Sequence, residues 1–330
     1  MKKNLTIQDI AEAAGVAKST VSRYLNNGAV KESTKKRIKE IIEEVNYEPN
    51  AFARLKAKKS NIIGVVAPCL DSTVTSMVLM SLDETLKKAG YTSLILNTNH
   101  DIEEELKDIE RLGNMNVDGI IVNATKICNR HFEIANQLDI PVVFLAQHFE
   151  NQISIINEDY LAGYKAGEVA GNLNNKDVLC VSVDPDDVAI GVERLNGILA
   201  GCKDFGVDHV EVVRSDFGNI KSYRVIDEVL SKKKPDLILC STTRQLLAAY
   251  KCIRDHGYKI PDDISVIAFG GYDVVDLLEP LPTTIQFNPK ELGQVAATTI
   301  LDVIDDKEVV QLQCIPFVFL EGASVKRRES

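Results

Sequence analysis

Apolar and polar positions follow two different rhythms along this chain. Through the first sixty residues the apolar positions fall three and four apart. Ile7, Ile10, Ala11 and Ala14 share one face of a helix that ends at Gly15. Thr6 stands at its start with Asp9 three residues on, the spacing of a capping box. A second helix is predicted over Lys18–Leu25, stopped by Asn26-Asn27-Gly28. A third begins near Ser33-Thr34 and carries Ile38, Ile41, Ile42 and Val45, with Pro49 beyond its end. The stretch from Asn50 to Lys59 is polar and basic, with Phe52 and Leu55 as an apolar minority, and reads as a linker with a short helix.

From Asn61 the rhythm changes. Short continuous apolar runs at 62–67, 93–97, 119–123 and 142–145 alternate with amphipathic stretches near 76–89, 102–114 and 130–138. A second series comes at 178–183, 210–213, 237–240 and 266–269, with helices near 159–173, 190–205, 219–232 and 244–257. Apolar strands alternating with helices predict parallel sheets covered on both faces. Two such series predict two doubly wound subdomains with a ligand crevice at their strand ends. The boundaries are a helical head over 1–49, a hinge over 50–60 and an α/β body over 61–330.

Composition narrows the class. A chain of 330 residues, 45% hydrophobic and 26% charged, is neither disordered nor a membrane protein. No apolar run approaches the ~20 residues of a membrane helix. The basic start Met1-Lys2-Lys3 leads into an amphipathic pattern and not a signal-peptide core, so a cytoplasmic protein is expected. The net charge of −10 is unevenly spread: residues 1–60 hold 13 Lys and Arg against 7 Asp and Glu, or +6, which leaves −16 on the rest. A basic head on an acidic body suits a module that meets phosphates.

Enzyme chemistry finds little support. Seven cysteines, at 69, 128, 180, 202, 240, 252 and 314, include no C-x-x-C pair and read as reduced thiols. The five histidines look isolated and no H-E-x-x-H occurs, so neither a metal nor another cofactor is expected. No phosphate loop comes after a strand. Asp186-Asp187 and Asp262-Asp263 read as turns and caps, not acid/base dyads. Gly163, Gly167 and Gly171 lie four apart on one helix, which permits close packing.

The head carries the sharpest signal. Two short helices joined at Gly15 form a helix-turn-helix, and the second presents Lys18, Ser19, Ser22 and Arg23 on its polar sides. Such a helix fits the major groove, where Arg can bond a guanine edge in bidentate fashion. Read by periodicity alone, a plain helical hairpin with a solvated face stays equally open. The run Thr6-Ile7-Gln8-Asp9-Ile10-Ala11, Ala14-Gly15-Val16 and Ser19 to Asn26 resembles the signature of the lac-repressor (LacI/GalR) family. Asn46-Tyr47-Glu48-Pro49-Asn50-Ala51-Phe52-Ala53-Arg54 is similar to that family's third helix and hinge.

The resemblance implies a dimeric repressor that reads palindromic double-stranded operator DNA and answers to a small molecule. It implies that Lys18, Ser19 and Arg23 read bases and that Thr20, Ser22 and Asn26 meet phosphate, with Thr6 at the DNA-facing start of the first helix. It places Asn50, Phe52, Ala53, Leu55 and Lys56 in a hinge helix whose Leu wedges into the minor groove. The usual hinge pattern is A-R-x-L, whereas Ala53-Arg54-Leu55 lacks the intervening residue. One missing residue turns Leu55 by about 100° around a helix.

Resemblance also covers the body, whose fold is then that of type I periplasmic sugar-binding proteins. It makes Arg194, in Glu193-Arg194-Leu195-Asn196-Gly197, the chief effector residue, with Asp159 near the crevice. The hydroxyl-rich loop after the first strand adds Asp71, Ser72 and Thr75. Two departures stand out. Ser241-Thr242-Thr243-Arg244 replaces an A-x-N-D pattern, and Gly270-Gly271-Tyr272-Asp273 replaces an acidic turn. Thr242, Tyr272 and Asp273 are therefore effector candidates particular to this chain, and the variant looks most like sucrose- or trehalose-operon repressors. The effector implied is a sugar or sugar phosphate that releases operator. A regulator that requires a phosphoprotein co-repressor is the alternative; a kinase or dehydrogenase fits poorly, and a sugar-transport binding protein fits the body but not the head. With no leucine heptad after the body, a homodimer is expected over a tetramer.

Overall fold

The computed structural model describes residues 7–25, 28–45, 59–124, 126–148 and 150–329. The chain divides into two compact units, Met1–Asn61 and Ile62–Ser330.

The first unit packs three helices: α1 (Ile7–Ala14), α2 (Lys18–Leu25) and α3 (Glu32–Glu44). Ile10, Ala11, Ala14, Val21 and Ile38 are buried together, with Ile7, Leu25, Ile41 and Ile42 packed at the edge. These are the positions the three-and-four spacing picks out. Gly15 closes α1 at φ +60, a left-handed turn that glycine adopts without a Cβ penalty. Arg37 of α3 reaches back and donates to the carbonyl of Ala14, which ties the third helix to the turn. The helix predicted from Ser33 begins one residue earlier, at Glu32.

The second unit contains two six-stranded sheets. The first uses β1 (Ile62–Ala67), β2 (Thr92–Asn97), β3 (Gly119–Asn123), β4 (Val142–Leu145), β5 (Ile153–Asn157) and β11 (Leu312–Ile315). The second uses β6 (Asp177–Ser182), β7 (His209–Arg214), β8 (Leu237–Cys240), β9 (Ser265–Phe269), β10 (Thr283–Phe287) and β12 (Phe317–Leu320). Their orders correspond strand for strand: β2-β1-β3-β4-β5-β11 and β7-β6-β8-β9-β10-β12. All pairs are parallel except β10 with β12, an antiparallel edge that the expectation of purely parallel sheets does not include. The chain passes between sheets after Asn157, Phe287 and Ile315.

Helices cover the sheets. In the first half they are α4 (Thr73–Lys88), α5 (Ile102–Asn114) and α6 (Asn129–Gln137); α7 (Asp159–Asn172) comes at the crossing. In the second half come α8 (Leu195–Asp204), α9 (Asn219–Leu230), α10 (Thr243–Asp255) and, returning toward the first sheet, α11 (Pro289–Ile304). Residues 190–205, expected as one helix, split into a π-helical segment Ala189–Arg194 and α8. The apolar pattern also gives no sign of β5, β10, α11, β11 and β12. Among the described residues no helix is long and apolar enough to cross a membrane.

α7 and α8 pack backbone to backbone. A Cβ on Gly163, Gly167, Gly171, Gly197 or Gly201 would overlap backbone atoms of the facing helix: Arg194, Cys202 and Ile198, Phe205, Tyr160 or Tyr164 respectively. Close packing is thus the use of the glycine spacing in α7.

Candidate functional site

In each sheet the strand order reverses between neighbours that flank one strand, β1 in the first sheet and β6 in the second. Loops leaving the carboxyl ends there diverge to opposite faces and leave a crevice. The loops after β1, β3, β6 and β8 therefore carry candidate ligand residues, and the turn after β9 adds the second of the two departures noted in the sequence.

Beside the loop after β8 lies a buried ion pair. Arg194, only 6% exposed, donates from Nε and Nη2 to one oxygen of Asp159, at 2.8 and 2.5 Å. Its Nη1 donates to the carbonyl of Ser241 at 2.6 Å. The guanidinium carbon lies 4.6 Å from the ring centre of Phe269 and 5.3 Å from that of Phe287. All three nitrogens are engaged, and two aromatic faces add cation–π attraction. Burial pushes the Asp159 carboxyl up to about 6, against the pull of the Arg194 charge. Burial also pushes the Tyr272 hydroxyl up, with Arg194 acting in the opposite direction. Asp187, half-exposed, is raised by desolvation while the charges of Arg194 and His100 lower it. Arg194 and Asp159 are thus paired, and Tyr272 lies within reach of their charges.

Other candidates have local duties. Ser72 caps α4 and accepts from the backbone N–H of Thr75, whose own hydroxyl is buried 3.8 Å from Cys69. Thr242 caps α10 and accepts from Gln245. Asp273 is exposed. Asp71 pairs with Arg244, which donates to its carboxylate at 2.9 Å and its carbonyl at 2.8 Å. That guanidinium holds the Asp71 carboxyl below the usual range.

The Asp71–Arg244 pair joins the two subdomains across the crevice. Lys126 donates to Asp186 at 2.5 Å in the same way, and the rings of His100 and Phe217 stack at 5.6 Å. Sequence reasoning marks Arg244 only as a departure, and misses Lys126, His100 and Phe217 altogether. No spacing signals these partners, because the two ion pairs join residues 60 and 173 positions apart. The pair involving Asp71 is exposed and worth at most about 1 kcal/mol. Asp71→Asn is accordingly expected to leave the unfolding free energy nearly unchanged while loosening closure. Small-angle X-ray scattering of the variant should give a larger radius of gyration; an unchanged profile would make the pair incidental.

The two departures also fit one another. Gly270 and Gly271 have φ of +88 and +100. A Cβ on Gly270 would collide with the hydroxyl of Thr243, which instead accepts from the Gly271 N–H at 2.8 Å. Acidic side chains at the turn are replaced by a backbone contact.

In the helical unit α2 exposes Lys18, Ser19 and Arg23, half-buries Thr20 and Ser22, and buries Val21. One polar face on an eight-residue helix can enter a major groove. Thr6, Asn26, Asn50, Phe52, Ala53, Leu55 and Lys56 lie outside the described residues.

The expectation of isolated histidines is corrected in space. His131 Nε2 lies 2.7 Å from Glu105 and its Nδ1 3.3 Å from Cys128 Sγ. His256 meets Asp227 at 2.8 Å, near Cys252.

Residues 6–50 match the family described as bacterial regulatory proteins, lacI family, and residues 175–325 match the periplasmic binding protein-like domain. The chain is 32% identical over 307 residues to the sucrose operon repressor of Staphylococcus xylosus, covering 92% of this chain and 95% of that protein. It is 27% identical to catabolite control protein A of Staphylococcus aureus, over 92% and 94% of the two chains. Its fold is similar to that of the lac repressor dimer bound to operator and an anti-inducer. That match has a TM-score of 0.85 at 22% identity, covering 98% of this chain and 100% of that one.

Proposed function

The chain belongs to the lacI family of bacterial regulatory proteins, and from that premise we propose that it is a sugar-responsive repressor of a carbohydrate-utilisation operon. In this reading a homodimer grips palindromic DNA with α2 of each head, and a sugar or sugar phosphate in the crevice releases it. The similarity to a sucrose operon repressor supports an effector of the sucrose, fructose or trehalose type.

The observation that carries the proposal is the face of α2, which exposes Lys18, Ser19 and Arg23 around a buried Val21. A helix so presented meets base edges with Lys18, Ser19 and Arg23, and phosphate with the half-buried hydroxyls of Thr20 and Ser22. Its placement in the basic part of the chain favours DNA electrostatically. The crevice supplies the coupling. Effector binding that favours one arrangement of the subdomains shifts the population only by its difference in affinity for the two.

The test starts from a DNA site selected out of a random pool, with fluorescence anisotropy then measured against each sugar and its phosphate. Affinity should fall linearly with the logarithm of salt concentration. Arg23→Ala should cost about 1–3 kcal/mol and relax base preference at one position. Release by one sugar supports the proposal. No response to any sugar, together with tighter DNA binding in the presence of a phosphorylated carrier protein, would transfer it to the catabolite-control type.

A further inference from the structure

Cys128, His131 and Glu105 form a chain of contacts that the regulatory reading does not use. Glu105 of α5 and His131 of α6 are both fully buried, and His131 Nε2 lies 2.7 Å from the Glu105 carboxylate. The backbone N–H of Cys128 donates to His131 Nδ1 at 3.2 Å. Nδ1 is therefore an acceptor, so the ring proton sits on Nε2 and points at Glu105. The Cys128 Sγ lies 3.3 Å from the same Nδ1. Phe144 packs edge-on against the imidazole, with ring centres 6.3 Å apart, which holds the ring plane.

Cys128 is also the N-cap residue of the nine-residue helix α6, where the helix end favours negative charge. It is half-buried, so a small reagent can reach it. Nucleophile, base and orienting carboxylate stand in the order that activates sulfur in other proteins. Cys180, Cys202, Cys240 and Cys252 are buried, and burial raises their thiols. Desolvation raises half-buried Cys69 and exposed Cys314 as well.

We propose that Cys128 is an oxidation site, a thiol that His131 and Glu105 prepare for attack on hydroperoxides. The Cys128 backbone N–H gives up its bond to Nδ1, His131 Nδ1 takes the thiol proton in its place, and Glu105 stabilises the imidazolium. The sulfur attacks the terminal oxygen of the hydroperoxide, an S–O bond forms and the O–O bond breaks. The leaving oxygen takes the proton from Nδ1 and departs as water or an alcohol. Sulfur is oxidised to sulfenic acid, and the hydroperoxide is reduced. The modified residue lies two positions after Lys126, which reaches Asp186 across the crevice. Oxidation there adds bulk and polarity beside a contact that joins the subdomains.

The experiment treats the reduced full-length protein with hydrogen peroxide, traps sulfenic acid with dimedone and maps adducts by peptide mass spectrometry. Cys128 should be labelled at least about tenfold faster than exposed Cys314, as expected of a thiol prepared by a neighbouring base. His131→Gln and Glu105→Gln, checked for folding by circular dichroism, should reduce its rate to that of Cys314. Should either variant fail to fold, the comparison of Cys128 with Cys314 in the unaltered protein still decides. Labelling of Cys128 no faster than Cys314 would overturn the proposal and leave the three residues as a packing tie between α5 and α6.

Discussion

Gly167→Ala is expected to cost the body about 3 kcal/mol or more, an effect at the top of the range for overpacking. The added carbon has nowhere to go, because the atoms it meets are the backbone N of Cys202 and the carbonyl of Ile198. Side chains can rotate away from an intruding methyl group, whereas helix backbone cannot without separating α7 from α8. Against a total stability of about 5–15 kcal/mol, this places the variant near unfolding, and Gly167→Val beyond it. Gly206→Ala is the control. There φ is +76 but nothing lies within 4 Å, so only the left-handed conformation is penalised, by about 1–2 kcal/mol. Urea denaturation of both variants decides the matter. Equal losses would show that the helices can part slightly at no cost, and the close-approach account would fail. Gly163→Ala adds a further readout, since its carbon presses on the carbonyl of Arg194 and should disturb the ion pair as well as the fold.

Arg194→Ala is expected to remove about 3–5 kcal/mol, because it leaves the Asp159 carboxylate buried without its partner. The loss should depend on pH in a definite direction. In the folded protein the Asp159 carboxyl is raised to about 6, and in the unfolded chain it returns to the ordinary range near 4. Between those values the native state binds more protons than the unfolded state, so this group's contribution falls as pH rises and its full penalty is present above about 6. Without Arg194 the carboxyl moves higher still, and the penalty keeps growing through neutrality. Denaturation at pH 5 and at pH 7.5 should therefore give a larger loss at the higher pH. Equal losses would mean that Asp159 stays solvated and the pair is not buried in solution. Replacing both residues, as Asp159→Leu with Arg194→Met, should recover much of the stability but none of the response to effector.

Much of this arrangement is legible from residue order. The head is legible because its helices are short, amphipathic and punctuated by glycine, so local rules decide it. The first four strands of each half are legible as isolated apolar runs. The segment beyond Phe269 is harder, since β10 mixes Thr and Gln into its run, β12 is a four-residue edge strand, and α11 begins at a proline after a capping Asn. Within the crevice, Arg194 and Asp159 stand out through short motifs that resemble a family pattern. Lys126 and Arg244 do not, because each finds its partner only after two sheets have formed. The Cys128–His131 spacing of three residues is visible in the sequence, but Glu105 lies 26 positions away and only packing of α5 against α6 brings it in.

The threefold passage of the chain between the sheets has a consequence for synthesis. Residues after 311 supply an edge strand to each sheet, β11 beside β5 and β12 beside β10. As the polypeptide leaves the ribosome from its N-terminus, the first half cannot finish its sheet when its own strands are complete. It waits for a strand made more than 150 positions after β5. Both halves then close only once residues 312–320 have been made, and the nascent body keeps an open strand edge until then. Errors in the short stretch 312–320 therefore reach both lobes at once, because it supplies an edge strand to each.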